Sequence, residues 1–158
     1  MMISFDVGES QKFSVRAVAI IIKEDRILFQ QFNNSDYWFL PGGRVEIMEE
    51  LHETIEREIS EEYGWSIKNK KLVWIVENFF NLDNIEFHEL GFYFLVQVED
   101  ELEITESDFH CLEGISVSRW FRIIELNQHP VVPDFVKQGI DVEQLRTTNE
   151  VKHIINRG

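Results

Sequence analysis

The chain has 158 residues, 44% of them hydrophobic and 28% charged, enough for a packed globular core and too apolar for a disordered segment. Its formal charge of −14 repels the backbone of long nucleic acids and anionic membrane surfaces, leaving small phosphorylated molecules bridged by cations as the accessible anionic partners. The single cysteine, Cys111, rules out an internal disulfide and reads as a small buried hydrophobe.

Met1 to Ser10 has no basic start and carries Asp6 and Glu9, which is not the pattern of a secretory leader. The longest apolar run, Ala17 to Ile22, is far too short to cross a bilayer. A cytoplasmic protein is expected, with the Asn33-Asn34-Ser35 glycosylation triplet idle. There are three prolines, Pro41, Pro130 and Pro133, and no Gly/Ser-rich linker or repeat, so a single domain over residues 1–158 is expected.

In chain order, Phe13 to Lys23 is rich in β-branched residues and predicts a strand. Glu24-Asp25 forms a turn and Arg26 to Phe32 returns as the second arm of a hairpin. Tyr37 to Leu40 predicts a short aromatic strand running into a Pro41-Gly42-Gly43 loop. Glu49 to Tyr63 predicts a helix stopped by Gly64. Lys71 to Phe80 and His88 to Val98 predict strands, with a turn near Leu82-Asp83-Asn84. Ile115 to Ile123 predicts another strand. Pro133 to Gln138 opens a helix on its proline, and Val142 to Ile155 reads as helical. This is an α/β pattern, a mixed sheet with a few helices.

The informative segment is Gly43 to Trp65. From Glu46 to Glu62 there are eight glutamates and one strongly basic residue, Arg57. Met48, Leu51, Ile55 and Ile59 form an apolar stripe at helical spacing. Glu62 projects into the middle of that stripe, Glu58 onto its edge, and Glu61 next to Glu58. Carboxylates facing the body of a protein are costly unless compensated. Glu58 repels Glu61 and Glu62 at i+3 and i+4, each by about 0.2–0.5 kcal/mol. Glu61 and Glu62 also oppose the helix dipole in the last turn, at about 0.3–1 kcal/mol each. Divalent cations would reverse all three costs, because hard cations such as magnesium prefer carboxylate oxygens. The other reading is a solvated acidic face, with Arg57 as the counter-ion of Glu61 at i+4.

The same residues resemble the signature of the Nudix hydrolase family, the Nudix box. Gly43 is followed at the family's spacing by Glu49, then by Arg57, Glu58, Ile59, Ser60, Glu61, Glu62, Tyr63, Gly64 and Trp65. Trp65 stands where the family places an aliphatic residue, and Met48 where it often places glycine. The resemblance extends over residues 12–126 and implies an α/β/α sandwich around a mixed sheet. It also implies Mg2+ or Mn2+ as cofactor and Glu58, Glu61, Glu62 and the Gly43 region as metal-binding positions. Arg57 and Glu49 match residues that orient the site. The general base lies in the box, at Glu61, or on a later loop, where Glu113 fits best, Glu106 and Asp108 are rivals, and His88 and His110 are further options.

The implied reaction is metal-dependent hydrolysis of a phosphoanhydride in a nucleoside diphosphate linked to another group. Nucleoside triphosphates, ADP-ribose or other nucleotide sugars, and dinucleoside polyphosphates all fit. Arg16 and Arg44 are candidates for meeting phosphate, and Trp38, between Tyr37 and Phe39, for stacking on a base, although most of that strand is expected in the core. Phe79, Phe80 and Phe87 line a pocket or fill the core. Homodimers occur in the family. The competing functions are a non-catalytic nucleotide-sensing domain, a calcium-binding acidic protein, for which the EF-hand loop pattern is lacking, and an isoprenyl diphosphate isomerase that would need Cys111 near the box.

Overall fold

In the computed structural model, which describes residues 1–33 and 35–158, a nine-stranded mixed sheet forms the middle layer. Its strands are β1 (Ser4–Val7), β2 (Gln11–Lys23), β3 (Arg26–Phe32), β4 (Gly42–Arg44), β5 (Ile67–Leu82), β6 (Ile85–Val98), β7 (Phe109–His110), β8 (Ser116–Arg122) and β9 (Lys152–Asn156). The order across the sheet is β7-β8-β3-β2-β6-β5-β9, with β1 and β4 also pairing along β2. The β2–β6 and β5–β9 pairs are parallel and the others antiparallel. The glycosylation triplet includes Asn34 and so lies outside the described residues.

The α1 helix (Leu51–Tyr63) lies on one face of this sheet. Ile55 and Ile59 are fully buried there against Ala17, Ala19, Ile21, Phe94 and Trp120. The opposite face buries Val18, Ile20, Phe29, Trp74 and Val76 under a 3-10 helix (Ile123–Gln128), α2 (Phe135–Gly139) and α3 (Val142–Thr147). The two sides of β2 therefore feed two cores, which is why Ala17 to Ile22 is one unbroken apolar run. The arrangement is the expected α/β/α sandwich.

Three readings need correction. Pro41-Gly42-Gly43 is not simply a loop, because Gly42–Arg44 forms β4, pairing antiparallel with Arg16, Ala17 and Val18. The preceding Trp38 and Phe39 make only isolated bridges rather than a strand. The stretch Val142 to Ile155 is helical only to Thr147; Lys152–Asn156 pairs instead with Trp74–Asn78 of β5. Two β-branched residues, Thr147 and Thr148, stand where the helix ends, and a distant strand supplies the pairing. The sequence reading also passed over the short strands β1 and β7.

Candidate active site

The α1 helix starts on a capping box. The Glu50 carboxylate accepts from the backbone of the third helical residue, and Glu53 accepts from the Glu50 N–H at 2.8 Å. It ends at Gly64, which takes the left-handed φ of 71° while its N–H donates to the Ser60 carbonyl at 2.9 Å. Met48 is not part of the apolar stripe. It precedes the helix, is 95% exposed, and sits at φ 70°, a conformation suited to glycine.

Arg57 organises the site. Its Nε and Nη2 donate to the two oxygens of Glu49 at 2.7 and 3.0 Å. Its Nη1 donates to Glu58 at 2.8 Å and reaches Glu61 at 3.4 Å, and Nη2 also donates to the Arg44 carbonyl at 3.2 Å. Glu49 is completed by the Thr54 hydroxyl at 2.6 Å and the Glu46 N–H at 3.2 Å. The guanidinium and these donors hold the Glu49 carboxyl down at about 2 despite its partial burial. Sequence reasoning found Glu49 and Arg57 through the box but missed Thr54, whose signal is a hydroxyl five positions after a glutamate.

Glu58 and Glu62 are the carboxylates taken from water. Glu58 points at β4 so closely that a Cβ on Gly43 would collide with its carboxyl group. Only glycine fits there, which ties Gly43 to the position of Glu58. Burial raises the Glu58 carboxyl, against the pull of Arg57. Burial and the neighbouring charge of Glu58 push Glu62 up to about 8, and its Oε2 is buried without a hydrogen-bond partner. Glu61 is about half exposed, with the Arg57 contact as its one ion pair among the described residues.

The loop before β8 closes the C-terminal end of the helix. The Leu112 N–H donates to the Glu62 carbonyl at 2.8 Å, answering one of the helix's last open carbonyls. This brings Cys111 and Glu113 close enough for their charges to act on Glu62. Arg16, from β2, also acts on both Glu58 and Glu62, and its cross-strand partner is Arg44. The structure thus brings Gly43, Arg44, Glu49, Arg57, Glu58, Glu61, Glu62, Arg16 and Glu113 alongside α1, from the turn before its first residue to its C-terminal end.

Other candidates lie elsewhere. Trp38 is 6% exposed, packed in the core on the side away from α1 with the Arg119 guanidinium 4.6 Å over its ring, so it offers no face for stacking. Asp108 is paired with Arg119 and Glu106 with Arg26. His88 packs between Phe13 and Phe79, and His110 is exposed on β7. A hollow of about 740 Å3 opens at the far end of the strands, among Phe5, Phe13, Phe80 and Phe87, and holds none of the carboxylates of α1.

The donor set suits hard divalent cations. It offers several carboxylate oxygens, one of them buried and unpartnered, beside a glycine backbone that a side chain would block. Among the described residues no three acidic, histidine or cysteine side chains converge into a closed cage. The fit is to an open carboxylate face, as expected for ions that keep several waters.

A model of the NUDIX domain matches residues 12–138. A probable DHNTP pyrophosphohydrolase from Lactococcus lactis subsp. cremoris (strain MG1363) is 33% identical over 108 residues, covering 61% of this chain; the match spans 62% of that protein's length. Among solved structures, a NUDIX hydrolase from Nitrosomonas europaea superposes with a TM-score of 0.60 at 21% identity, covering 91% of this chain and 79% of the other. A MutT protein from Bacillus halodurans gives 0.58 at 18% identity, covering 89% of each chain. These likenesses support the fold, and the family model, which spans most of the sequence including the complete box, establishes that the chain belongs to the Nudix hydrolase family.

Proposed function

We propose that this protein hydrolyses a phosphoanhydride bond in a small nucleotide or nucleotide-like diphosphate, with Mg2+ or Mn2+ held by Glu58, Glu61, Glu62 and the Gly43 backbone. The observation that carries this is the pair of buried carboxylates, Glu58 and Glu62, with one oxygen of Glu62 left without a partner. Leaving such groups unpaired is costly, and that cost is recovered when cations bind. Nudix hydrolases generally use divalent cations. Bound there, they would neutralise phosphate charge and acidify a water.

The residues of the chain have distinct tasks in this reading. Arg57 fixes Glu58 and the Arg44 carbonyl in one frame, with Glu49 and Thr54 anchoring the arginine itself. Arg16 and Arg44 receive phosphate oxygens from the β2–β4 side. Glu113 takes the proton of the attacking water. It acts on Glu62 electrostatically and is tied up by no ion pair among the described residues, whereas Glu61 is engaged by Arg57. The pyrophosphohydrolase name of the Lactococcus lactis relative agrees with cleavage of a phosphoanhydride bond.

The test is release of phosphate or pyrophosphate from nucleoside triphosphates, nucleotide sugars and dinucleoside polyphosphates, with Mg2+, Mn2+ or chelator. Turnover of one class that chelator abolishes is expected. Metal binding without turnover of any class would support the sensing domain instead.

A further inference from the structure

The carboxylates of α1 work between two parts of the sheet that are joined by a short ladder. β2 and β3 pair only where Ile22 meets Ile27 and Lys23 meets Arg26. Towards the site β4 takes over the edge of β2, at Arg16, Ala17 and Val18. β3, β8 and β7 pair with one another, and the loop between β7 and β8 carries Cys111, Leu112 and Glu113. The helix spans both parts. Glu58 meets Gly43 of β4 on one side. On the other side Tyr63, the last residue of α1, reaches β3 and β8.

That second contact is polar in an apolar setting. The Tyr63 hydroxyl donates to Gln30 Oε1 of β3 at 3.0 Å and shares a hydrogen bond of 2.7 Å with Ser118 Oγ of β8. A phenol carries one proton, so with that proton on Gln30 the serine donates to the tyrosine oxygen. Tyr63, Gln30 and Ser118 are 7%, 3% and 0% exposed, and Gln30 and Ser118 face each other across the β3–β8 ladder. Their surroundings are apolar. The Tyr63 ring stacks on Trp65 at 4.4 Å and meets Phe109 of β7 edge-on, and Trp65 stacks in turn on Trp120. Phenylalanine would keep all of that packing. The hydroxyl adds no apolar area and has to be taken out of water. What it adds is direction, because a helix end out of place would leave polar groups of three elements unpaired in the core.

We propose that Tyr63 is a positioning residue for the hydrolytic step. Its hydroxyl sets the last turn of α1, which carries Glu61 and Glu62, against the β7–β8 loop, which carries Glu113. Glu62 directly precedes Tyr63, and its carbonyl accepts from the Leu112 N–H of that loop at 2.8 Å. Two ties therefore fix helix to loop. One runs through the backbone, the other through Ser118, two residues after β8 begins at Ser116. Tyr63 points into the core and acts through the carboxylates beside it. A displacement of reacting groups by about 1 Å can cost on the order of 100-fold in rate, so a tie of this kind has kinetic weight. This rests on the hydrolase reading and adds a residue outside the fixed positions of the box.

The test compares Tyr63→Phe and Ser118→Ala with wild type, well below their melting temperatures. It reads kcat and KM for the best substrate at saturating Mg2+, with Mn2+ binding titrations on the same samples without substrate. Tyr63→Phe leaves Gln30 and Ser118 short of a partner, so its melting temperature is expected to fall by several degrees. Its kcat is expected to fall about 10- to 100-fold with KM within about twofold, and Mn2+ to bind about 10-fold more weakly. Ser118→Ala keeps the bond from Tyr63 to Gln30 and is expected to lose less in kcat. The double variant is expected to lie within about twofold of Tyr63→Phe alone, because the two hydroxyls act as one unit. A lower melting temperature with kcat and Mn2+ affinity both unchanged makes Tyr63 a packing residue and overturns the proposal. A rise in KM at constant kcat overturns it too. If Tyr63→Phe fails to fold, Ser118→Ala decides by the same criterion. Absence of turnover in the wild type overturns the hydrolase reading instead, and the Mn2+ affinities then decide whether Tyr63 positions the carboxylates.

Discussion

Two glutamates within eight positions of Arg57 show how environment assigns opposite roles to one side chain. Glu49 is 13% exposed on its side chain and bound by both arms of the arginine, by Thr54 and by a backbone N–H. Its folded pKa of about 2 lies below the ordinary value of 4.5, so its stabilisation is present above pH 4.5 and is lost as pH falls towards 2. With solvent screening discounted, that contribution is on the order of 1 kcal/mol. Acid unfolding followed by circular dichroism should show Glu49→Gln less stable than wild type at pH 7, with the gap closing below about pH 3. Glu62 has the opposite sign. With its pKa at about 8, stability is highest below pH 4.5 and falls as pH rises through 8, because the folded state then carries a buried charge. In chelator, Glu62→Gln should melt several degrees above wild type at pH 8 and near it at pH 5. Saturating Mg2+ at pH 8 should raise the wild-type melting temperature and leave that of the variant unmoved.

At the level of elements, α1 was legible because its signals are local. The glutamates, the apolar spacing of Leu51, Ile55 and Ile59, and the Gly64 stop all act within a few residues. Met48 misled the reading because its spacing fits the stripe while its backbone does not: at φ 70° it turns the chain into Glu49 before the helix begins. Met48→Gly should therefore raise stability by about 1 kcal/mol, measurable by urea unfolding, with no loss of activity, since the side chain is 95% exposed. The strands β4 and β9 were illegible for a different reason. Gly42 and Gly43 carry no side-chain pattern, and Lys152–Asn156 is only five residues long, so each exists as a strand only because β2 or β5 offers it an edge. Trp38 was ambiguous by type, since an aromatic residue fits a binding face or a core, and burial decides for the core.

For the molecule as a whole, the charge of −14 is a liability for an enzyme with an anionic substrate. The described residues include no helix long and apolar enough to cross a membrane. Added monovalent salt screens the field within about 10 Å at 0.1 M. At fixed free Mg2+, kcat/KM for a nucleoside triphosphate should thus hold steady or rise as KCl goes from about 20 to 200 mM, the reverse of a site served by a basic surface. A steep fall would show that local cations such as Arg16 and Arg44 outweigh the global field. The family and the carboxylates were readable from the sequence because the box is a contiguous motif. The pairing of Arg16 with Arg44 was not, because it exists only after β2 and β4 are brought into register.

That the buried carboxylates of α1 hold the catalytic cations is the core of the proposed mechanism. It is tested most directly by the rate of phosphate or pyrophosphate release at saturating Mg2+ from the best substrate, in Glu62→Gln against wild type. We expect a drop beyond the roughly 10- to 100-fold typical of losing an outer partner of a metal site. A rate within about threefold of wild type, well short of that outer-partner range, from a variant that folds normally would contradict the account.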